Sequence, residues 1–127
     1  MENTRGILWL TLPTQVAPVQ GQFDNSPNHY HVTLQFGVFS DEIPESVLGQ
    51  TFWVRVVANC YNDGIQALSV ELSEEIRDLC DNAFPHMTIS MVSEVRPVES
   101  NAMLAGEHTS EPVRFELPLV CEFQPFN

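Results

Sequence analysis

Two short stretches of the sequence carry the same pair of polar residues, and both residue types can act on a phosphate group. The stretch HVTL begins at His31 and the stretch HMTI begins at His86, so each histidine is followed two positions later by Thr33 or Thr88. Residues i and i+2 of a β-strand point to the same face. Each histidine is therefore expected to share a strand face with its threonine, while the aliphatic neighbours fill the opposite, buried face.

Two histidines that meet at one site can cleave a phosphodiester bond without a metal. Histidine changes charge near neutral pH, so one imidazole can accept a proton from the attacking oxygen while the other donates a proton to the leaving oxygen. Such a coupled pair predicts a bell-shaped dependence of rate on pH. The hydroxyls of Thr33 and Thr88 could donate to the non-bridging phosphate oxygens and stabilise the developing charge. The sequence does not assign which histidine is the acid.

Strands separated by turns are expected to position both motifs. Alternating apolar and polar residues predict strands at residues 6–12, 29–39, 86–92 and near 113–121. The runs TFWVRVVANC and IQALSVEL, joined by YNDG, predict a β-hairpin. A short helix is expected between Pro44 and Gly49, and a longer one from Ser73 to about Asn82. Residues 13–28 are expected to form a long loop.

The chain is strongly acidic. It has 127 residues, 17 Asp and Glu against 5 basic residues, all of them arginine, and a net charge of −12. A chain of this length has room for a real core, so we expect one domain spanning residues 1–127. Long RNA or DNA is bound largely through Lys and Arg that neutralise phosphates. A nucleic-acid ligand is therefore expected to be small, or to be held only at one end.

Cysteine usage and hydropathy indicate a cytoplasmic protein. Cys60, Cys80 and Cys121 are odd in number and form no CxxC pair, which disfavours a disulfide framework and a thiolate zinc site. The apolar run near the N-terminus is short and predicts a first strand, not a signal peptide. No stretch approaches the roughly 20 apolar residues of a membrane span. We therefore expect a reducing compartment and no membrane partner.

The stretches HVTL and HMTI resemble the two H-x-[ST]-aliphatic motifs of the 2H (two-histidine) phosphoesterase superfamily, which includes the cyclic phosphodiesterases of tRNA splicing and 2′-5′ RNA ligase-like proteins. The resemblance implies an α+β fold with two lobes, in which two antiparallel sheets face a central cleft with few helices outside. It implies a phosphodiesterase without cofactor, whose catalytic residues are His31, Thr33, His86 and Thr88. A 2′,3′-cyclic phosphate or a cyclic oligonucleotide would be its substrate.

Five further residues are candidates for substrate binding. Arg55 and Trp53 share a strand face, so a guanidinium group could pair with phosphate beside a stacking surface. Arg96 closely follows the second motif and is a second phosphate candidate. Tyr30 and Phe84 could stack on a nucleobase.

Two alternatives stay open at this point. His29 and His31 have an H-x-H spacing that can chelate zinc, with His86 or a carboxylate as a third ligand, although such a site would leave both threonines without a role. The protein could also be a non-catalytic module that sequesters a nucleotide, or binds a protein, through the same cleft. A third H-x-[ST] stretch, at His108, has no aliphatic neighbour and is expected to be loop.

Overall fold

Alternating apolar and polar residues form six antiparallel strands, which close into a barrel in the computed structural model of residues 4–126. The strands are β1 (Arg5–Thr11), β2 (His31–Phe39), β3 (Thr51–Tyr61), β4 (Ile65–Glu71), β5 (His86–Met91) and β6 (Thr109–Pro125). Around the barrel they follow the order β1-β2-β5-β4-β3-β6. The two strands that begin at the motif histidines, β2 and β5, are therefore neighbours.

The interior of the barrel is filled by the apolar residues of the alternating strands. Val32 and Leu34 of β2 and Met87 of β5 are fully buried, whereas His31 is only half-buried. Since neighbouring residues of a strand point to opposite faces, the motif histidines and threonines lie on the outer face of the barrel. Burial of the aliphatic residues thus determines which way the chemically active side chains point.

β2 and β5 meet over a short joint, at which Val32 pairs with Met87. In an antiparallel pair with this register, His31 lies beside Thr88 and Thr33 lies beside His86. The two motifs are therefore related by an approximate two-fold axis through the Val32–Met87 pair. Each histidine has the threonine of the other motif as its cross-strand neighbour.

The sheet arrangement differs from the two facing sheets that the resemblance implies. β6 is 17 residues long, long enough to pair with β3 along its first part and with β1 near its end. These pairs link all six strands in one closed order, so strand pairing does not divide the fold into two lobes. The mostly antiparallel sheet with few, short helices agrees with the expected α+β class.

The helices are short, and one predicted helix is absent. Within the described residues there are two α-helices and two 3-10 turns: α1 (Glu74–Arg77), α2 (Ser100–Ala105), Ser40–Glu42 and Pro97–Glu99. The prediction of a helix between Pro44 and Gly49 is wrong, because these residues form successive turns that begin where the N–H of Val47 donates to the carbonyl of Pro44. None of the helices in residues 4–126 could span a membrane.

α1 ends after one turn, although the sequence predicts a helix from Ser73 to about Asn82. The Ser73 hydroxyl is buried and makes no hydrogen bond, so the expected cap is missing. Further along, the N–H of Asp81 donates to the carbonyl of Leu34 at 3.0 Å. This bond holds the segment before β5 against β2, and tertiary pairing of this kind overrides local helix propensity.

The predicted long loop before β2 is attached to the barrel by two buried polar side chains. Ser90 Oγ donates to Gln66 Oε1 at 2.6 Å, and the N–H of Gln22 donates to the same oxygen at 2.9 Å. Gln66 Nε2 in turn donates to the carbonyl of Gln20 at 3.2 Å. Because buried polar groups need partners, these bonds secure the loop to β4 and β5.

Candidate active site

A cleft of about 380 Å³ lies over the joint between β2 and β5. The four residues predicted to be catalytic, His31, Thr33, His86 and Thr88, all line it. Its other lining residues come from β1, β2, the segment before β5, the turn Pro97–Glu99 and the first turn of α2: Ile7, Phe36, Asp81, Asn82, Pro97, Val98 and Asn101. The fold therefore brings both motifs to one concave site.

Backbone carbonyls orient both imidazoles in the same way. His31 Nδ1 lies 3.0 Å from the carbonyl oxygen of His29, and His86 Nδ1 lies 2.7 Å from that of Phe84. A carbonyl oxygen only accepts hydrogen bonds, so each Nδ1 carries the hydrogen. Nε2 is therefore the atom of each ring that gains or loses a proton, and within residues 4–126 no group hydrogen-bonds to it.

His108 makes the same local bond but lies outside the cleft. Its Nδ1 is 3.0 Å from the carbonyl oxygen of Gly106, and the neighbouring Thr109 is exposed. The bond is thus a local feature of a histidine at the start of a strand. What distinguishes His31 and His86 is that they line one cleft together with Thr33 and Thr88.

Burial lowers the pKa of both cleft histidines below the ordinary value of 6.5. For His31, burial is the largest cause, the bond to the His29 carbonyl partly offsets it, and the nearby His86 lowers the pKa further. For His86, burial again lowers the pKa and the bond to the Phe84 carbonyl opposes it. Since charge on one imidazole disfavours charge on the other, the doubly protonated state of the pair is disfavoured.

Trp9 of β1 packs against His31, and sequence analysis missed it. The ring centroids of Trp9 and His31 are 4.5 Å apart, and the Trp9 ring also meets His29 edge-on at 6.0 Å. Trp9 pairs with Thr33 across the β1–β2 ladder and so lies on the outer face. Only the pairing of β1 with β2, which alternation does not reveal, identifies Trp9 as a neighbour of the site.

Phe36 is a second aromatic residue that sequence analysis missed. It is 72% exposed at the cleft, and the ring of Phe126 packs against it with the centroids 5.1 Å apart. The β1–β2 register shifts between Gly6 and Ile7, next to Gly37, which has a φ of 82°. Bulges of this kind re-aim side chains. Here the bulge leaves an exposed ring at the cleft, where a nucleobase could stack on it.

The two threonines are held differently. Thr88 is buried, and its Oγ1 lies 2.8 Å from Ser100 Oγ and 3.4 Å from the carbonyl oxygen of Pro97. Thr33 is half-buried, and its hydroxyl makes no hydrogen bond with any described residue. Thr33 is therefore free to meet a ligand, whereas Thr88 already belongs to a hydrogen-bonded group.

Trp53 and Arg55, predicted to bind substrate, lie away from the cleft. They share the exposed face of β3 as predicted, but β3 is three strands from β2 in either direction around the barrel. Arg55 forms an exposed ion pair with Glu71 at 3.7 Å. Closure of the barrel is the reason, because it puts the first arm of the hairpin on the opposite side from the motifs.

The other predicted binding residues lie closer, although none lines the cleft. Phe84 supplies the carbonyl that binds His86, and its ring is 42% exposed. Tyr30 packs half-buried against the barrel core. Arg96 directly precedes Pro97 of the cleft wall, and its guanidinium group makes no hydrogen bond or ion pair with the described residues. Arg96 therefore stays a candidate for phosphate binding.

The metal site suggested by the H-x-H spacing has no set of ligands in this fold. No three His, Cys, Asp or Glu side chains in the described part of the chain are grouped so that they could hold a metal ion. His29 is exposed, and Trp9 contacts the imidazoles of both His29 and His31. The cleft lining includes one carboxylate, Asp81, and neither lysine nor arginine.

Comparison with known protein families gives a match that covers most of the chain. A family model described as the fungal tRNA ligase phosphodiesterase domain matches residues 14–116, a range that includes both motifs and every cleft residue except Ile7. That family is part of the 2H phosphoesterase superfamily, which confirms the superfamily predicted from the motif pair. No curated protein and no solved structure matches the chain.

Proposed function

Since the chain belongs to the fungal tRNA ligase phosphodiesterase domain family of the 2H phosphoesterase superfamily, we propose that it is a cyclic phosphodiesterase that opens a 2′,3′-cyclic phosphate at an RNA end. The observation that carries this proposal is the pair of imidazoles in one cleft, each with Nδ1 bound to a backbone carbonyl and Nε2 available. We assign the chemistry to His31, Thr33, His86 and Thr88.

The reaction needs one base and one acid, and the two imidazoles supply them. The neutral imidazole accepts a proton from water while the water oxygen attacks phosphorus, and the protonated imidazole donates a proton to the ribose oxygen whose bond to phosphorus breaks. One P–O bond forms and one breaks, so the ring opens to a phosphomonoester. The repulsion between His31 and His86 disfavours the doubly protonated pair, in which neither imidazole could act as the base.

The threonines complete a symmetric binding site for the phosphoryl group. Because each histidine lies beside the threonine of the other motif, a phosphate near the two-fold axis meets an imidazole and a hydroxyl on each side. Hydroxyl donors aimed at the non-bridging oxygens stabilise the negative charge of the transition state. A protonated histidine supplies the positive charge that the lining otherwise lacks.

The shape and charge of the cleft favour recognition of the RNA end alone. A volume of about 380 Å³ is at the lower end of the range for small-molecule sites, which suits a terminal nucleotide. Phe36 offers a ring for its base. With a net charge of −12, the remaining surface gives a long phosphate backbone few cations to contact. We therefore propose that a short end is a sufficient substrate.

Hydrolysis of nucleoside 2′,3′-cyclic phosphates and of short RNAs that end in a cyclic phosphate, with product analysis, tests this function. His31→Ala and His86→Ala should each lower kcat at least about 100-fold. The double variant should be little worse than the poorer single variant, because the two residues act as one unit.

His108→Ala is the matched control, since it removes an imidazole with the same local bond from outside the cleft. It should keep full activity. EDTA should leave the rate unchanged, and activity that is lost on chelation and restored by zinc would contradict the two-histidine mechanism. A wild-type protein that binds these ligands without turnover would instead support the nucleotide-sequestering module.

A further inference from the structure

Ser100, the first residue of α2, has a fully buried hydroxyl group that none of the steps above uses. Its side chain is 0% exposed, and Thr88 Oγ1, at 2.8 Å, is the only partner of its hydroxyl among the described residues. Building on the proposed function, we propose that Ser100 is a positioning residue that makes the Thr88 hydroxyl a donor to the substrate phosphate.

The direction of the Ser100–Thr88 bond follows from counting hydrogens. If Thr88 donated to Ser100, the Ser100 hydrogen would be buried without an acceptor, which costs roughly 1–3 kcal/mol. If Ser100 donates, its hydrogen is satisfied and Thr88 Oγ1 uses one of its two acceptor sites. The arrangement in which Ser100 donates is therefore favoured, and it leaves the Thr88 hydrogen for a different acceptor.

Two acceptors compete for the Thr88 hydrogen. In the absence of substrate the available acceptor is the carbonyl oxygen of Pro97, at a long 3.4 Å. A charged phosphate oxygen in the cleft accepts a hydrogen bond about twice as strong as a neutral one. The Thr88 hydroxyl would then turn from Pro97 to the phosphate, while Ser100 continues to hold its oxygen in place.

The same bond also has a structural effect, which an experiment must separate from positioning. It joins β5 to the wall of the cleft at residues 97–101, so its loss could loosen that wall. A structural role would act on every contact of the wall, whereas positioning acts only through the Thr88 hydroxyl. Thr33 differs from Thr88 in this respect, because no described residue makes a hydrogen bond that orients the Thr33 hydroxyl.

The test is a double-variant cycle with a matched control. Ser100→Ala, Thr88→Val and the double variant are compared by kcat and KM on adenosine 2′,3′-cyclic phosphate. Ser90→Ala is the control, because Ser90 is also a buried serine with a short hydroxyl bond, but it secures the loop before β2 and does not line the cleft. Thermal unfolding of each variant reports stability separately.

The expected result is that Ser100→Ala lowers kcat about tenfold and raises KM by a smaller factor, because the Thr88 bond to phosphate strengthens in the transition state. Ser100→Ala should have no further effect on either constant once Thr88 is valine. Ser90→Ala should lower the melting temperature and keep kcat. Full kcat in Ser100→Ala would overturn the proposal. It would also be overturned if Ser100→Ala lowered kcat by the same factor in the wild-type protein and in the Thr88→Val variant.

A binding measurement keeps this inference separate from the proposed function. If the wild-type protein does not hydrolyse the cyclic phosphate, the proposed function fails. The Kd of adenosine 2′,3′-cyclic phosphate is then measured for the wild type, the two single variants and the double variant. Coupling between Ser100→Ala and Thr88→Val in Kd would then uphold the positioning role. Additive effects, or no loss of binding in Thr88→Val, would overturn it.

Discussion

Replacing each motif threonine by valine should have different consequences, although the two motifs look alike. Valine keeps the shape of threonine and removes the hydroxyl. At Thr33 no described residue loses a hydrogen bond, so the free energy of unfolding should change by no more than about 0.5 kcal/mol. At Thr88 the fully buried Ser100 hydroxyl loses its partner, which should cost roughly 1–3 kcal/mol.

These costs translate into clear differences in thermal unfolding. For a chain of this size 1 kcal/mol corresponds to roughly 3–5 °C, so Thr88→Val should lower the melting temperature by several degrees and Thr33→Val should leave it nearly unchanged. Adding Ser100→Ala to Thr88→Val removes both partners and should restore part of the lost stability. Both single variants should lower kcat by about 100-fold, since each removes a donor to the transition state.

Urea and thermal unfolding, followed by kinetics on a nucleoside 2′,3′-cyclic phosphate, check this reasoning. Equal melting temperatures for the two variants, or a further loss of stability in the Thr88→Val, Ser100→Ala protein, would refute the hydrogen-bond assignment. Full activity in both valine variants would mean that the hydroxyls serve only the strands, and the catalytic role of the threonines would be given up.

Three further predictions concern pH, base recognition and RNA length. Because the pKa values of His31 and His86 are lowered in the fold, the unfolded chain takes up protons first as the pH falls below 6.5, so the free energy of unfolding should decrease there. A His31→Asn, His86→Asn variant, followed by denaturant unfolding between pH 7 and 5, should lose less stability than the wild type. For the same reason the pH optimum of kcat/KM should lie below 6.5, and a maximum near pH 8 would contradict a singly protonated pair. Phe36→Ala should raise KM about tenfold through lost base stacking, whereas Phe39→Ala, on the same strand but not lining the cleft, should keep KM. A dinucleotide and a long RNA with the same cyclic phosphate end should be hydrolysed with similar kcat/KM, with a log-log salt slope of about one or two ions. A steep salt dependence that favours the long RNA would show that it is bound along a groove.

The sequence alone determines the strands, their buried faces and the four residues of the motif pair. The reason is that strand geometry is local: alternation with a period of two decides which side chains share a face, so His31 and Thr33 must point the same way whatever surrounds them. The hairpin between β3 and β4 is likewise local, because its turn residues and alternation lie within one short stretch. The orientation of each imidazole is local too, since the carbonyl that binds Nδ1 is two residues away.

The tertiary structure decides which strands are neighbours, and with that the composition of the site. Alternation of apolar and polar residues does not predict strand order. It therefore predicts neither that Trp9 of β1 packs against His31 nor that Arg55 lies on the side of the barrel opposite the motifs. Helix propensity likewise does not foresee that α1 stops early because the N–H of Asp81 pairs with β2. The difference between Thr33 and Thr88 also arises here, because it depends on Ser100, a residue of another element. Contacts between residues that are far apart in the chain leave no periodic pattern in the sequence, so they are seen only in the folded barrel.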